Sequence, residues 1–216
     1  MSNVTLAART VLWTGAPSPA APLVVLFHGR GSNERAMIPI ASSLSNEVAF
    51  ASLRGPVTLG PDSYTWFENR GIGRAIPESL RQSLDWFYDW LNDVAPPGRR
   101  VVLVGFSGGA AFVGGVMLDR PTRADAFALL YGTVPFDAGL PTAPHQLVGV
   151  SVFHAQGVDD QVMPRELMDR TWTYLTQESG ADVVAQRTAG GHEWTPDLVD
   201  ALSDWIGERL GRSTDS

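Results

Sequence analysis

The chain has 216 residues, 44% of them hydrophobic and 18% charged, which suits a single folded domain with a substantial core. Its formal net charge of −7 argues against a nucleic-acid partner, because phosphate binding needs a dense cationic face and no arginine-rich run occurs. Cysteine is absent, which excludes disulfides, thiolate metal sites and a thiol nucleophile, and every basic residue is arginine, which excludes Schiff-base, pyridoxal-phosphate and P-loop lysines.

The first ten residues lack a basic patch followed by an apolar run, so no signal peptide is expected. No window approaches about eighteen uninterrupted apolar residues, so no membrane span is expected and a cytoplasmic protein is the default. Residues 4–13 are expected as an antiparallel edge strand, with 15–22 as its connector. Residues 23–27 form a continuous apolar run that reads as a fully buried strand ending at His28 and Gly29. A helix bent at Pro39 is expected over 33–44, then a second buried strand over 48–53. Residues 54–74 read as one long loop, and a loop of that length in a compact domain is usually functional.

Pro77 opens a helix whose apolar face carries Leu80, Leu84, Phe87, Trp90, Leu91 and Val94, and Pro96, Pro97 and Gly98 stop it. Strands are expected over 101–105, 126–131, 149–154 and 181–187. Helices rich in small or amphipathic patterning are expected over 108–118, 164–178 and 196–210, with 212–216 fraying. Strand and helix therefore alternate about six times, the signature of a mainly parallel sheet covered on both faces. No internal repeat or linker appears, so residues 1–216 are read as one domain. In such sheets the chemistry sits beyond the carboxyl ends of the strands.

One motif there carries chemistry. Gly105-Phe106-Ser107-Gly108-Gly109 matches G-x-S-x-G and lies between a strand and a helix, the context that gives the pattern meaning. A serine on so sharp a turn is lifted above the sheet edge, and the flanking glycines let strand and helix approach. Neither this run nor Gly71-Ile72-Gly73 completes the G-x-G-x-x-G of a nucleotide loop. A tetrahedral oxyanion needs two convergent N–H donors. The backbone amides of Gly108 and of Arg30, in the His28-Gly29-Arg30-Gly31 turn, are the candidates. The Arg30 side chain either reaches an acidic substrate group or stays solvated. His28 precedes the serine and ends a strand, so it reads as structural.

A serine hydroxyl needs a base, and the base an orienting carboxylate. In the order serine, acid, histidine, three histidines follow Ser107. His192, after the last strand and two glycines, suits a base reaching back over the sheet. His154 reads as packed and His145 as exposed. Asp160 is favoured as the acid over its neighbour Asp159, with Asp137 after the fourth strand as a fallback.

These segments resemble the phospholipase/carboxylesterase family of α/β-hydrolases. The carriers are Leu26-Phe-His-Gly-Arg-Gly31, Val104-Gly-Phe-Ser-Gly-Gly-Ala110, Gln156-Gly-Val-Asp-Asp-Gln-Val-Met-Pro164 and Gly190-Gly-His192, with Arg54-Gly-Pro56 through Trp66-Phe67. The resemblance implies a compact α/β-hydrolase fold without a separate cap domain. It implies a Ser107–Asp160–His192 triad, backbone donors from Arg30 and Gly108, and esterase or thioesterase activity without metal or other cofactor. Many members carry Gln-Gly after the nucleophile where this chain has Gly108-Gly109, so the acyl site lacks that side chain.

Trp66 and Phe67 are the candidate apolar wall for substrate, with ordinary core packing as the alternative, and residues 131–136 offer a second wall. The leading expectation is hydrolysis of a small-molecule carboxylic ester. Thioester or lysophospholipid cleavage on the same triad comes second, and a non-catalytic binding protein third. A homodimer is left open.

Overall fold

The computed structural model describes residues 5–16, 18, 20–42 and 48–211. The chain opens with strand β1 (Val11–Gly15) and β2 (Leu23–Phe27), followed by a 3-10 turn over Glu34–Met37 and the short helix α1 (Ile38–Ser42). After β3 (Ala49–Leu53) come two small antiparallel hairpins, β4 (Val57–Gly60) with β5 (Ser63–Thr65), and β6 (Asn69–Gly71) with β7 (Arg74–Ala75). Then follow α2 (Pro77–Val94), β8 (Val101–Phe106), α3 (Gly108–Asp119), β9 (Ala126–Leu130) and β10 (Ser151–Gly157). Helix α4 (Arg165–Thr173) runs on through a π turn at Tyr174–Glu178, and β11 (Asp182–Thr188) and α5 (Pro196–Arg209) complete the described residues.

The main sheet has the order β1-β3-β2-β8-β9-β10-β11, parallel throughout except for β1, which pairs antiparallel to β3 at one edge. Strand side chains alternate between its two faces. Leu23, Val25 and Phe27 of β2 join the core under α2 and α3, and Val24 and Leu26 join the core under α1 and α5. That two-sided burial explains why β2 and β9 are continuous apolar runs rather than alternating ones, and why β3 is buried throughout, its one polar side chain, Ser52, donating to the Glu34 carbonyl. Under α2 and α3, Phe27, Trp66, Phe87 and Phe112 pack at ring-centroid distances of 4.9–5.7 Å. Burying each such ring contributes roughly 1.5–3 kcal/mol.

From β2 the chain passes to β3 on one side, then crosses by α2 to β8 on the other. The order therefore reverses between β2 and β8, and a crevice opens beyond their carboxyl ends. Both loops that the sequence marks for chemistry leave the sheet at this point.

Three local expectations change. The single helix over 33–44 is a 3-10 turn followed by α1, with Pro39 in the first turn, where its missing amide costs no helical hydrogen bond; residues 43–44 lie outside the described residues. The edge strand is 11–15 rather than 4–13, residue 4 lying outside the described residues, as do 212–216. The stretch 54–74 is not one loop but the two hairpins, whose strands are too short and polar to read as β. Among the described residues no helix is long and apolar enough to cross a membrane.

Candidate active site

Ser107 stands between β8 and α3 with φ 55° and ψ −115°, a backbone conformation that side-chain-bearing residues rarely adopt. Two glycines make the turn sterically feasible. A β-carbon at Gly105 would collide with the Gly109 carbonyl, and one at Gly109 with the Phe27 carbonyl of β2. The turn is held from the other side by the Ser107 N–H, which donates to the Leu130 carbonyl at 2.8 Å.

His192 comes to Ser107 from the far end of the sheet. Its Nε2 lies 2.8 Å from the Ser107 hydroxyl, and its Nδ1 lies 2.7 Å from Oδ2 of Asp160. A carboxylate only accepts, so Nδ1 carries the ring proton and Nε2 is left to accept from the serine. The Asp160 side chain is 1% exposed, and its other oxygen accepts from the Val162 and Met163 amides at 2.8 and 3.0 Å. The loops bearing the acid and the histidine are stitched by their backbones. Val158 N–H donates to the Thr188 carbonyl and Asp159 N–H to the Gly190 carbonyl, both at 3.0 Å. Gly157 permits this approach, since a β-carbon there would strike the Gly191 carbonyl.

Two aromatic residues not singled out for this role in the sequence flank the imidazole, and a third backs one of them. Phe106 and Tyr131 lie 5.2 and 5.9 Å from it by ring centroids, and Trp194 stacks on Phe106 at 5.2 Å. The Tyr131 hydroxyl bonds Thr188 Oγ1 at 2.8 Å, pinning the root of the histidine loop, and burial pushes this phenol above its ordinary pKa. Their local signals were weak: Phe106 is the free position of the G-x-S-x-G motif, and Trp194 only follows His192 by two residues.

Arg30 and Gly108 meet beside the serine, so closely that a β-carbon on Gly108 would lie 3.0 Å from the Arg30 amide nitrogen. The Arg30 loop is braced on several sides. Nδ1–H of the buried His28 donates to the Gly29 carbonyl at 2.7 Å, and its Nε2 accepts from the Gly55 amide at 2.9 Å. Both ring nitrogens are thus engaged, and burial lowers the His28 pKa below its ordinary value, which keeps the ring neutral. Next along the chain, the buried Glu34 carboxylate accepts two bonds from Arg54 at 2.6 and 2.7 Å, and these bonds lower its pKa. The Gly31 amide donates to the Tyr64 carbonyl of β5 at 2.8 Å.

A cavity of about 230 Å³ opens at Ser107. Gly108 and Ala111 line its elbow side, Phe67, Asn69, Ile72 and Gly73 come from the hairpin region, and Val162, Met163 and Arg30 complete the wall. Phe67 is therefore a wall residue, whereas Trp66 does not line the cavity. Its indole is fully buried, stacks on Phe112 and donates to the His28 carbonyl at 2.8 Å, so it supports the Arg30 loop from the core.

The remaining candidates lie elsewhere. His154 is buried within β10 with Nδ1–H on the Leu129 carbonyl at 2.9 Å; His145 and Asp159 are exposed; Asp137 is engaged by Arg74 at 2.8 Å. No group of three or more His, Asp or Glu side chains that could hold a metal ion occurs among the described residues.

A mainly parallel sheet with a strained serine at the switch point defines the chain as an α/β-hydrolase by fold. Its architecture follows that of the Bacillus cereus carboxylesterase with a TM-score of 0.78 at 23% identity, over 93% of this chain and 94% of that one. A carboxylesterase of Mesorhizobium loti gives 0.76 at 24% identity, over 86% and 88%. More narrowly, the chain belongs to the phospholipase/carboxylesterase family, whose sequence pattern matches residues 14–209. It is also 22% identical to acyl-protein thioesterase 1 of Eremothecium gossypii, over 89% of each chain.

Proposed function

We propose that the protein is a serine esterase that hydrolyses small carboxylic esters through an acyl-enzyme on Ser107. The observation that carries this reading is the continuous relay from Ser107 through His192 to Asp160, with separations of 2.8 and 2.7 Å. As the Ser107 oxygen attacks the ester carbonyl, Nε2 of His192 takes the hydroxyl proton. The buried Asp160 carboxylate stabilises the imidazolium and keeps the ring in the required tautomer. The N–H groups of Arg30 and Gly108 receive the negative charge that develops on the carbonyl oxygen. The N-terminus of α3, which begins at Gly108, adds its positive dipole end. Collapse expels the alcohol, which takes the proton from Nε2 and leaves the acyl group on Ser107. Water then enters, His192 deprotonates it, and the acid departs with the serine restored.

The same proposal treats residues 1–216 as one catalytic domain working in the cytoplasm on a small-molecule substrate. Thioester cleavage is the second reading. It uses the same groups, and the similarity to an acyl-protein thioesterase favours it.

A p-nitrophenyl ester series of increasing acyl length, run beside acyl-CoA and lysophospholipid, tests the assignment. Turnover of the short esters at a rate well above that of Ser107→Ala is the expected result. Preferred cleavage of acyl-CoA would move the function to the second reading, and inertness toward all three classes would abandon it.

A further inference from the structure

Most arginines of this acidic chain meet a partner, several of them at the surface. Among the described residues, each one except Arg30 and Arg70 meets a carboxylate, a carbonyl, an amide oxygen or an aromatic face. Arg74, next to the cavity-lining Gly73, is held twice, by Asp137 and by Glu166. Arg70 does not line the cavity. Arg30 does; it is exposed at the cavity, and its side chain pairs with no carboxylate although acidic residues outnumber basic ones 23 to 16. Asn69 also lines this space. The volume of about 230 Å³ lies below the roughly 300–1,000 Å³ of sites for drug-sized ligands.

From these observations we infer that Arg30 is a specificity residue, and that the preferred ester carries a carboxylate close to the scissile bond. This rests on the esterase reading of Ser107 and narrows it. Because the Arg30 amide and β-carbon lie beside Gly108, its side chain leaves the backbone next to the reacting carbonyl, and its guanidinium is within reach of a group close to the scissile bond. It presents a planar fork of N–H donors that matches a carboxylate. The apolar wall of Phe67, Ile72 and Met163 limits the remainder to a short chain.

The test compares kcat/KM, by acid release in a pH-stat, within two matched pairs. Monoethyl glutarate against ethyl pentanoate places the charge on the acyl side. 3-Acetoxypropionate against propyl acetate places it on the alcohol side. At low ionic strength the charged member of at least one pair is expected to win by about tenfold or more, the scale of a charge-assisted hydrogen bond. Arg30→Gln should bring that ratio close to one, Arg30→Lys should restore part of it, and added salt should shrink it in the unaltered protein. Faster hydrolysis of the neutral member in both pairs overturns the inference while leaving the esterase intact. A charged-substrate preference that Arg30→Gln does not alter overturns the assignment to Arg30. Inertness toward all four esters, together with inertness toward p-nitrophenyl esters, removes the esterase reading and this inference with it.

Discussion

Replacing Ser107 by glycine should stabilise the protein relative to replacing it by alanine, the reverse of the usual ranking. At φ 55° and ψ −115° the backbone of residue 107 is strained for any residue with a β-carbon. Such a conformation costs of the order of 1–3 kcal/mol, and glycine is free of it. Glycine in turn makes the unfolded chain more flexible, which costs about 0.4–1 kcal/mol. Alanine is the right comparator because both variants lose the hydroxyl and its bond to His192, so that loss cancels between them. The net difference is about 1 kcal/mol in favour of glycine, which corresponds to roughly 2–4 °C in Tm for a chain of this size. Scanning calorimetry and urea midpoints on the two inactive variants would read it. A glycine variant that melts at or below the alanine variant would refute the strained elbow, and with it the argument that Gly105 and Gly109 exist to accommodate that turn.

Two further outcomes follow from other parts of the molecule. His154 is fully buried, its Nε2 has no hydrogen-bond partner, and burial pushes its pKa down to about 4, against the weaker opposing effect of the Leu129 carbonyl. The unfolded chain therefore takes up this proton first. The contribution is complete above about pH 6.5 and is lost as pH falls toward 4, by about 3 kcal/mol. Urea midpoints between pH 7 and 4 should fall more steeply for the unaltered protein than for His154→Asn, and parallel curves would contradict this. At the site itself, Asp160→Asn should lower kcat by about four orders of magnitude with the fold retained. An amide can still accept from the Val162 and Met163 amides but no longer stabilises the imidazolium. Ester assays on folded variant, checked by circular dichroism, would expose a smaller loss.

The parts of this architecture legible in the sequence were those with a local cause. Doubly buried strands such as Leu23–Phe27 announce themselves as apolar runs, and α2 by its apolar stripe closed by Pro96, Pro97 and Gly98. The serine turn was legible because its glycines recur at fixed spacing around the serine, although Gly109 is demanded by the distant Phe27 carbonyl and only Gly105 by backbone a few residues on. Chain order together with position after the fifth and last strands pointed to Asp160 and His192, and the structure brings both within hydrogen-bonding reach of one another and the histidine within reach of Ser107.

What local patterning did not reveal arises from contacts distant in sequence. The hairpins between Val57 and Ala75 are held by partners such as Ser32 and Ser79 rather than by strand-like composition. Trp66 and Phe67 are adjacent and equally apolar, yet one lies in the core and the other in the cavity wall. Phe106, Tyr131 and Trp194 come from three separate segments and converge only because β8, β9 and the histidine loop end together. The ion pair of Glu34 with Arg54 likewise joins two loops at the sheet's carboxyl edge.

Covalent labelling interrogates the chemistry most directly. A fluorophosphonate probe followed by peptide mapping should modify Ser107 stoichiometrically, with labelling abolished in Ser107→Ala and strongly slowed in His192→Ala. An unmodified protein, or a label residing on any other residue, would contradict an activated serine at the elbow.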